Sequence, residues 1–157
     1  HHKMITKEEV LSVQKQWSVG LLNIGKLHKE EGGHKQAAEN YLAELYGFHI
    51  GEVLFKPTLA SKHQFRLTKE AALSYFIGGN SDFTEDTGFA LKGWTGVRFD
   101  NIGIKIEGNI AIAMGNYFFQ QVDEKEVKVE YTFIYKKDAV GKLHIILHDS
   151  HFPYNPK

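Results

Sequence analysis

The hydrophobic period changes half-way along the chain, and this change restricts the fold more than any other feature. From Trp94 onward apolar and polar residues alternate, which predicts four β-strands over residues 97–106, 110–120, 127–135 and 143–151. The turns between them are too short for the crossover that parallel neighbours need. We therefore predict an antiparallel meander, and in its third strand the alternation separates a wet face from a buried, aromatic face.

The first half has helical spacing instead. Thr6 and Glu9 form a capping-box pattern ahead of an apolar stripe. Pro57 ends a short apolar segment, Val53 to Thr58, and favours a short edge strand there. Helices are predicted from Thr6 to about Leu27, over residues 37–45, and from Thr68 to Gly78. The prediction is an α+β fold in which three N-terminal helices pack on a curved antiparallel sheet of about four to six strands.

Composition excludes several classes of function. The chain has 157 residues, and its 19 Lys and Arg balance its 19 Asp and Glu, so no net field attracts nucleic acid or anionic lipid. We expect neither a nucleic-acid nor a membrane partner. Cysteine is absent, which excludes disulfides, thiolate nucleophiles and thiolate metal ligands from this sequence.

The ends of the chain bear on its organisation. Residues 1–3 begin with two histidines, which indicates a tag remnant, and residues 4–157 are predicted to form one domain. No run approaches the ~20 apolar residues of a membrane span, which predicts a soluble protein. A leader for export or plastid targeting would have to lie outside this sequence.

Polar residues interrupt the last predicted strand and mark the best candidate for chemistry. His148 and Ser150 are two positions apart and share a face, with Ile146 and Phe152 expected beside them. Such a pair can form the polar end of an apolar pocket. The alternative is a satisfied interior histidine next to a serine that bonds local backbone.

Three other kinds of site are disfavoured by strand geometry. His144 and His148 would share a face but lie about 13 Å apart, too far for one metal ion, and His151 would face the other way. A Ser150–His148–Asp149 triad fails because adjacent strand residues point in opposite directions. The remaining Asp and Glu residues are expected on solvated surfaces, so no metal or acid–base carboxylate pair is predicted.

Several segments together resemble a known family, and the resemblance covers roughly residues 50–154. The segments resemble the metal-independent branch of the iota-class carbonic anhydrases of cyanobacteria and algae. That resemblance implies a nuclear transport factor 2-like cone, shared with the association domain of calcium/calmodulin-dependent kinase II, and a homodimer. The segments are Leu54–Thr58, Ala72–Phe76, Gly88–Trp94, Ala113–Phe119, Val127–Phe133 and Leu147–Tyr154.

The closing segment both matches the family pattern and departs from it. His148, Ser150 and Pro153 agree with the family's histidine–serine–proline ending, whereas Asp149 and His151 differ. Because alternate strand residues face opposite ways, we expect the two departures to point away from the pocket.

The resemblance also implies a reaction and a set of site residues. It implies reversible hydration of carbon dioxide to bicarbonate with no cofactor, in which Thr58, Tyr75 and Ser150 bind substrate. These three hydroxyls could orient a water and bond the developing bicarbonate. Among the groups nearby, a histidine suits proton acceptance better than a phenol with a pKa near 10, which favours His148 as the fourth catalytic residue.

Two alternatives remain open from the sequence. The same fold also serves as a non-catalytic, dimerising module that holds small ligands. A cyclase or isomerase of the polyketide type would need a His–Asp pair in a larger cavity, and Asp149 is predicted to face the wrong way for that role.

Overall fold

The computed structural model describes residues 4–30 and 32–157, so the predicted tag remnant at residues 1–3 and the residue at position 31 lie outside the described residues. Three helices precede most of the sheet, as predicted, and a 3-10 turn at Phe89–Leu91 leads into the long strands. The elements are α1 (Lys7–Lys29), α2 (His34–Leu45), β1 (Leu54–Lys56), α3 (Lys69–Ile77), β2 (Trp94–Glu107), β3 (Ile110–Gln121), β4 (Val127–Lys137) and β5 (Leu143–His151).

Local capping chemistry explains where the helices begin. In α1 the Glu9 amide donates to the Thr6 hydroxyl at 3.1 Å and the Glu9 carboxylate accepts from the Thr6 amide at 2.9 Å, which completes the predicted capping box. In α3 the Thr68 hydroxyl accepts from the Ala71 amide at 3.1 Å, and Gly78 ends the helix with a positive φ of 66°. Both boundaries confirm the sequence prediction.

The sheet is mixed rather than fully antiparallel. Its strand order is β1-β5-β4-β3-β2, and the four long strands form the predicted antiparallel meander. The short edge strand β1 pairs parallel with β5. This differs from the prediction because residues 57–142 separate the two strands, and a connection of that length permits either direction.

A β-bulge in β5 changes the predicted facing of its first half. The pairing with β4 skips Ile146, so that Ile145 pairs with Tyr135 and Leu147 with Ile134. As a result His144 lies on the opposite face from His148, where the unbroken alternation had placed them together. Ile146 and Phe152 likewise do not flank the His148–Ser150 pair: Ile146 is skipped by the pairing, and Phe152 lies exposed beyond the strand.

The helices cover the inner face of the sheet and enclose a core rich in aromatic rings. Trp17 of α1 lies near its centre, with ring contacts to Phe99, Tyr117 and Phe133. The alternation in β4 is as predicted, with Val129, Tyr131 and Phe133 buried. Within residues 4–30 and 32–157, none of the helices combines the length and the apolar character needed to span a membrane.

Candidate active site

A small cavity lies between the inner face of the sheet and the segment that follows β1. Its volume is about 10 Å³ as available to the centre of a water molecule. One water needs roughly 10–15 Å³ on that measure, so the space suits a molecule of very few atoms. We call it the hydroxyl pocket, and it is lined by Trp17, Phe55, Pro57, Thr58, Tyr75, Phe76, Phe89, Tyr117, His148 and Ser150.

The three hydroxyls expected to bind substrate all line this pocket. Thr58 follows β1, and its hydroxyl lies 2.6 Å from that of Ser150 on β5. Tyr75 reaches in from α3, and its hydroxyl oxygen accepts from the Leu59 amide at 3.2 Å. The parallel pairing of β1 with β5 is what carries Thr58 to Ser150, because Lys56 lies opposite Asp149 in the register.

Tyr117 is a member of the site that the sequence did not single out. Its hydroxyl is hydrogen-bonded to the Ser150 hydroxyl and lies 3.0 Å from Nε2 of His148. It sits on the inner face of β3, where a tyrosine is typical of core packing. The only signal in the sequence is that Tyr117 belongs to the alternate residues of that strand that face the core, so its phenol points inward.

His148 is packed as an aromatic core residue. Its ring lies between those of Phe133 and Phe55, with ring centroids 4.0 and 4.8 Å away and nearly parallel planes. Nδ1 lies 2.9 Å from the Tyr46 hydroxyl, whose oxygen accepts from Nε1–H of Trp17 at 3.0 Å. Tyrosine hydroxyls therefore occupy both ring nitrogens of His148.

Burial keeps the groups of the pocket uncharged. It lowers the pKa of His148 well below the usual 6.5, because a protonated imidazole between two phenyl rings would lack water. Burial raises the pKa of Tyr75 and that of Tyr117 well above 10, an effect that hydrogen bonds to neighbouring groups offset in part. At neutral pH the pocket therefore offers hydroxyl and imidazole groups without net charge.

A buried ion pair lies directly behind the pocket. Arg66 is fully buried and holds Asp86 through two hydrogen bonds of 2.7 Å, while the Ser74 hydroxyl donates to the same carboxylate at 2.6 Å. Ser74 is the neighbour of Tyr75, and the Arg66 amide donates to the carbonyl of Phe55 at 2.7 Å. Asp86 thus departs from the solvated surface expected of the acidic residues.

A second carboxylate fixes the loop that follows Thr58. Glu85 accepts hydrogen bonds from the consecutive amides of Ser61, Lys62 and His63 at 2.8–3.1 Å. These bonds, that of the His63 amide first, lower the pKa of Glu85 to about 2. We refer to Arg66, Asp86 and Glu85 as the ionic clamp, since together they tie the segment carrying Thr58 to the helix carrying Tyr75.

The remaining histidines of β5 lie away from the pocket. Nε2 of His144 lies 2.7 Å from Asp138, and Nδ1 lies 3.1 Å from the carbonyl oxygen of Glu44. His151 is partly exposed on the outer face, 3.1 Å from Glu130, and Asp149 is on that face too. Within the described part of the chain, no three histidine, aspartate or glutamate side chains converge as metal ligands.

Comparison with known proteins gives a consistent result. The family model described as metal-independent carbonic anhydrase matches residues 8–152. A metal-independent carbonic anhydrase of Nostoc sp. (strain PCC 7120) is 42% identical over 156 residues, which cover 98% of this chain and 76% of that protein. The chain belongs to the metal-independent carbonic anhydrase family. This confirms the resemblance stated from the sequence.

Solved structures place this member of the family within a wider fold. The crystal structure of a cyanobacterial iota-carbonic anhydrase complexed with bicarbonate matches with a TM-score of 0.93 and 41% identity, covering 98% of this chain and 95% of that one. A structure from Xanthomonas campestris, described as a calcium/calmodulin-dependent protein kinase II association domain, has a TM-score of 0.64 at 20% identity. The match covers 97% of this chain and 91% of that one.

More distant structures share only the fold. A nuclear transport factor 2-like protein from Pseudomonas putida has a TM-score of 0.60 at 10% identity, over 99% of this chain and 93% of that one. The predicted nuclear transport factor 2-like class is thereby confirmed, with the sheet now known to have five strands.

Proposed function

We propose that this chain catalyses the reversible hydration of carbon dioxide to bicarbonate without a metal cofactor, through a single domain of residues 4–157. The observation that carries the proposal is the hydroxyl pocket itself: four hydroxyls and a histidine converge on one small, largely apolar cavity. Membership of the family and the bicarbonate bound in a 41% identical relative support it.

The walls of the pocket suit a small, uncharged gas. Phe55, Phe76 and Phe89 form an apolar surface that carbon dioxide can contact without losing hydrogen bonds. A polyketide-sized substrate would need a far larger cavity, and Asp149 lies on the outer face, so the geometry disfavours the cyclase or isomerase alternative.

Hydration requires water to bond to carbon and to lose a proton. No residue of the pocket is ionised at neutral pH, so we assign the proton transfer to a neutral hydroxyl relay. As the water oxygen bonds to carbon, an electron pair of one C=O bond moves to its oxygen. The hydroxyl of Thr58 or Ser150 donates its proton to that oxygen and accepts one from the water.

The product of this step is carbonic acid, which ionises to bicarbonate and a proton in solvent, so atoms and charge balance. Tyr75 donates a further hydrogen bond to the developing oxygen. His148 bonds to a tyrosine through each ring nitrogen, so we propose that it positions Tyr117 and Ser150 in place of the proton acceptance expected from sequence.

Stopped-flow hydration of carbon dioxide tests the proposal, on chelator-treated protein whose bound metal is quantified in the same sample. Thr58→Val, Tyr75→Phe and Ser150→Ala are each expected to lower kcat/KM by about tenfold or more. Ser18→Ala is the matched control, because this buried serine donates only to the Gln14 carbonyl within α1, at 3.2 Å.

Two results of these measurements would contradict the proposal. Wild-type protein that is inactive with and without added zinc would overturn the enzymatic assignment and favour a non-catalytic, ligand-binding module. Unchanged rates in all three folded variants would overturn the assignment of these hydroxyls.

We also propose that two copies of the chain associate through the outer face of the sheet. The register aligns Leu54, Leu147, Ile134 and Ile112 in one row across four strands. Phe65 and Leu67 are exposed next to this row and border a groove of about 510 Å³. Lys56 and Asp149 lie opposite each other in the next row, so the face carries both charges, as a self-complementary surface requires.

Analytical ultracentrifugation tests the association. The wild type is expected to sediment as a dimer and Leu147→Lys as a monomer, because a lysine in the apolar row would lose its hydration at the interface. Val140→Lys, in the exposed turn before β5, is the control and should leave the dimer intact. A wild-type chain that is monomeric at high concentration would contradict the proposal.

A further inference from the structure

A continuous chain of hydrogen bonds leads from the pocket into the core. We call this set the hydrogen-bond chain. All but its last member, Thr58, are fully or almost fully buried, and its inner end lies on α1. In order from the core it contains Trp17, Tyr46, His148, Tyr117, Ser150 and Thr58.

The inner end of the chain determines which way its hydrogens point. An indole N–H can only donate, so Trp17 donates to the Tyr46 oxygen. Tyr46 has a single hydrogen, and its other partner is Nδ1 of His148 at 2.9 Å. The arrangement that leaves no donor unused has Tyr46 donating to Nδ1.

The tautomer of His148 follows from that bond. A neutral imidazole carries one hydrogen, and Nδ1 accepts, so the hydrogen is on Nε2. Nε2–H then donates to Tyr117 at 3.0 Å, and Tyr117 in turn donates to Ser150. Burial between Phe133 and Phe55 supports the neutral form, since it lowers the pKa of His148.

The direction of the chain decides what Ser150 and Thr58 can offer a ligand. With Tyr117 donating to Ser150, the contact between Ser150 and Thr58 uses only one of their two hydrogens. The hydrogen-bond chain does not use the other hydroxyl hydrogen, which can be offered to a ligand in the pocket. In the reversed direction Ser150 donates to Tyr117 and Thr58 donates to Ser150, so neither hydrogen remains.

We propose that Trp17 and Tyr46 are positioning residues: they hold His148 as the Nε2–H tautomer, so that the Ser150–Thr58 pair always presents one free O–H group to the substrate. This inference rests on the proposed function, because the relay needs a hydroxyl that donates to the carbon dioxide oxygen while accepting from water. Neither residue requires contact between its own polar atom and the substrate.

Tyr46→Phe is the principal test, since it retains the ring but removes the hydroxyl between the indole and the imidazole. The tautomer of His148 is measured by ¹⁵N NMR of the histidine ring nitrogens, and kcat and KM by stopped-flow hydration. We expect one Nε2–H tautomer in the wild type. In Tyr46→Phe we expect a mixture, with kcat reduced about tenfold and KM nearly unchanged.

Tyr41→Phe is the matched control. Tyr41 is a buried tyrosine of α2 whose hydroxyl donates to the Trp17 carbonyl at 2.9 Å, so its loss also removes a buried hydrogen bond but leaves the hydrogen-bond chain intact. It should keep the wild-type tautomer and kcat. Trp17→Phe is the second variant. It retains the Tyr46 hydroxyl but removes the N–H that donates to it, so Tyr46 can either donate to Nδ1 or accept from it, and mixed tautomers are again expected.

The NMR result separates this inference from the proposed function. An Nδ1–H tautomer in the wild type would overturn the inference even in an active enzyme, as would a Tyr46→Phe protein with a single Nε2–H tautomer and wild-type kcat. An inactive wild type that shows the Nε2–H tautomer would overturn the proposed function and the catalytic part of the inference, while supporting the assigned hydrogen-bond direction.

Discussion

The ionic clamp lies behind the hydroxyl pocket and the hydrogen-bond chain leads into it, and the two stabilise the pocket by opposite means. Arg66, Asp86 and Glu85 use full charges that are closely paired or bonded to successive amides. The hydrogen-bond chain uses neutral groups throughout, including a histidine kept unprotonated by burial. The ionic clamp holds backbone segments in place, and this requires strong interactions. The hydrogen-bond chain sets the direction in which the reacting hydroxyls donate, and this requires groups whose protonation does not change with pH.

Breaking the clamp should have the largest effect. Arg66→Met leaves the Asp86 carboxylate buried without its partner, which is expected to lower the free energy of unfolding by about 3–5 kcal/mol. Urea denaturation measures this loss. Arg98→Met is the matched control, since Arg98 pairs with Glu126 on the exposed side of the sheet and should change stability by less than about 1 kcal/mol. Equal losses in the two variants would contradict the distinction.

Between pH 7.5 and pH 5, a range above the ordinary pKa of Glu85, falling pH should destabilise the fold through the hydrogen-bond chain rather than through the ionic clamp. The pKa of His148 is lowered in the folded protein but lies near 6.5 in the unfolded chain. Below about pH 6.5 the unfolded state therefore binds a proton that the folded state does not. The free energy of unfolding should fall by up to about 1.4 kcal/mol per pH unit, until the folded pKa is reached.

Urea denaturation between pH 7.5 and pH 5 measures that slope. His34, whose pKa is also lowered by burial, contributes with the same sign, so the share of His148 is the difference between wild type and His148→Gln. Ser18→Ala is the control, because it alters a buried side chain that carries no titratable group and should leave the slope as it is. A slope that is the same in wild type and His148→Gln would count against a neutral His148.

The smallest expected effect is on the rate itself. Between pH 6 and pH 9 the lowered pKa of His148 and the raised pKa values of Tyr75 and Tyr117 leave the pocket in one protonation state. The kcat for hydration should therefore vary by less than about twofold over this range. Stopped-flow measurements at constant ionic strength test this, and a sigmoidal rise with a midpoint near pH 7, as a zinc-bound water gives, would contradict it.

Features determined by neighbouring residues were predictable from the sequence. The capping box at Thr6, the glycine end of α3 and the alternation of β4 all depend on residues a few positions apart. The direction of β1 depends on a partner far along the chain. The bulge at Ile146 was hidden because nearly every residue from Leu143 to Leu147 is apolar, so no polar residue shows where the alternation slips.

The site was predictable in part. The strand alternation alone predicted that His148 and Ser150 share a face, and the family resemblance added Thr58 and Tyr75. Tyr46 and Tyr117 escaped notice because a buried tyrosine normally indicates packing, and only the strand register and helix placement bring their hydroxyls to the histidine.

The clamp was missed for a different reason. Arg66 lies between Phe65 and Leu67, and the structure inverts the expected order, with the arginine buried and both apolar neighbours exposed. A loop has no periodicity from which such an inversion could be recognised. The charge between two apolar residues is the one signal the sequence contained.

The packing of His148 between Phe55 and Phe133 also affects how long a folded molecule keeps one orientation of the imidazole ring. Turning the imidazole over about its Cβ–Cγ bond would place Cδ2 and Cε1 where Nδ1 and Nε2 now lie, and two closely stacked rings oppose that rotation while the core stays closed. The ring therefore keeps its orientation until the core opens, and all turnovers in between share that orientation. A molecule that folds with the ring reversed would lack both tyrosine hydrogen bonds of His148 and would stay a slow enzyme until its core opens.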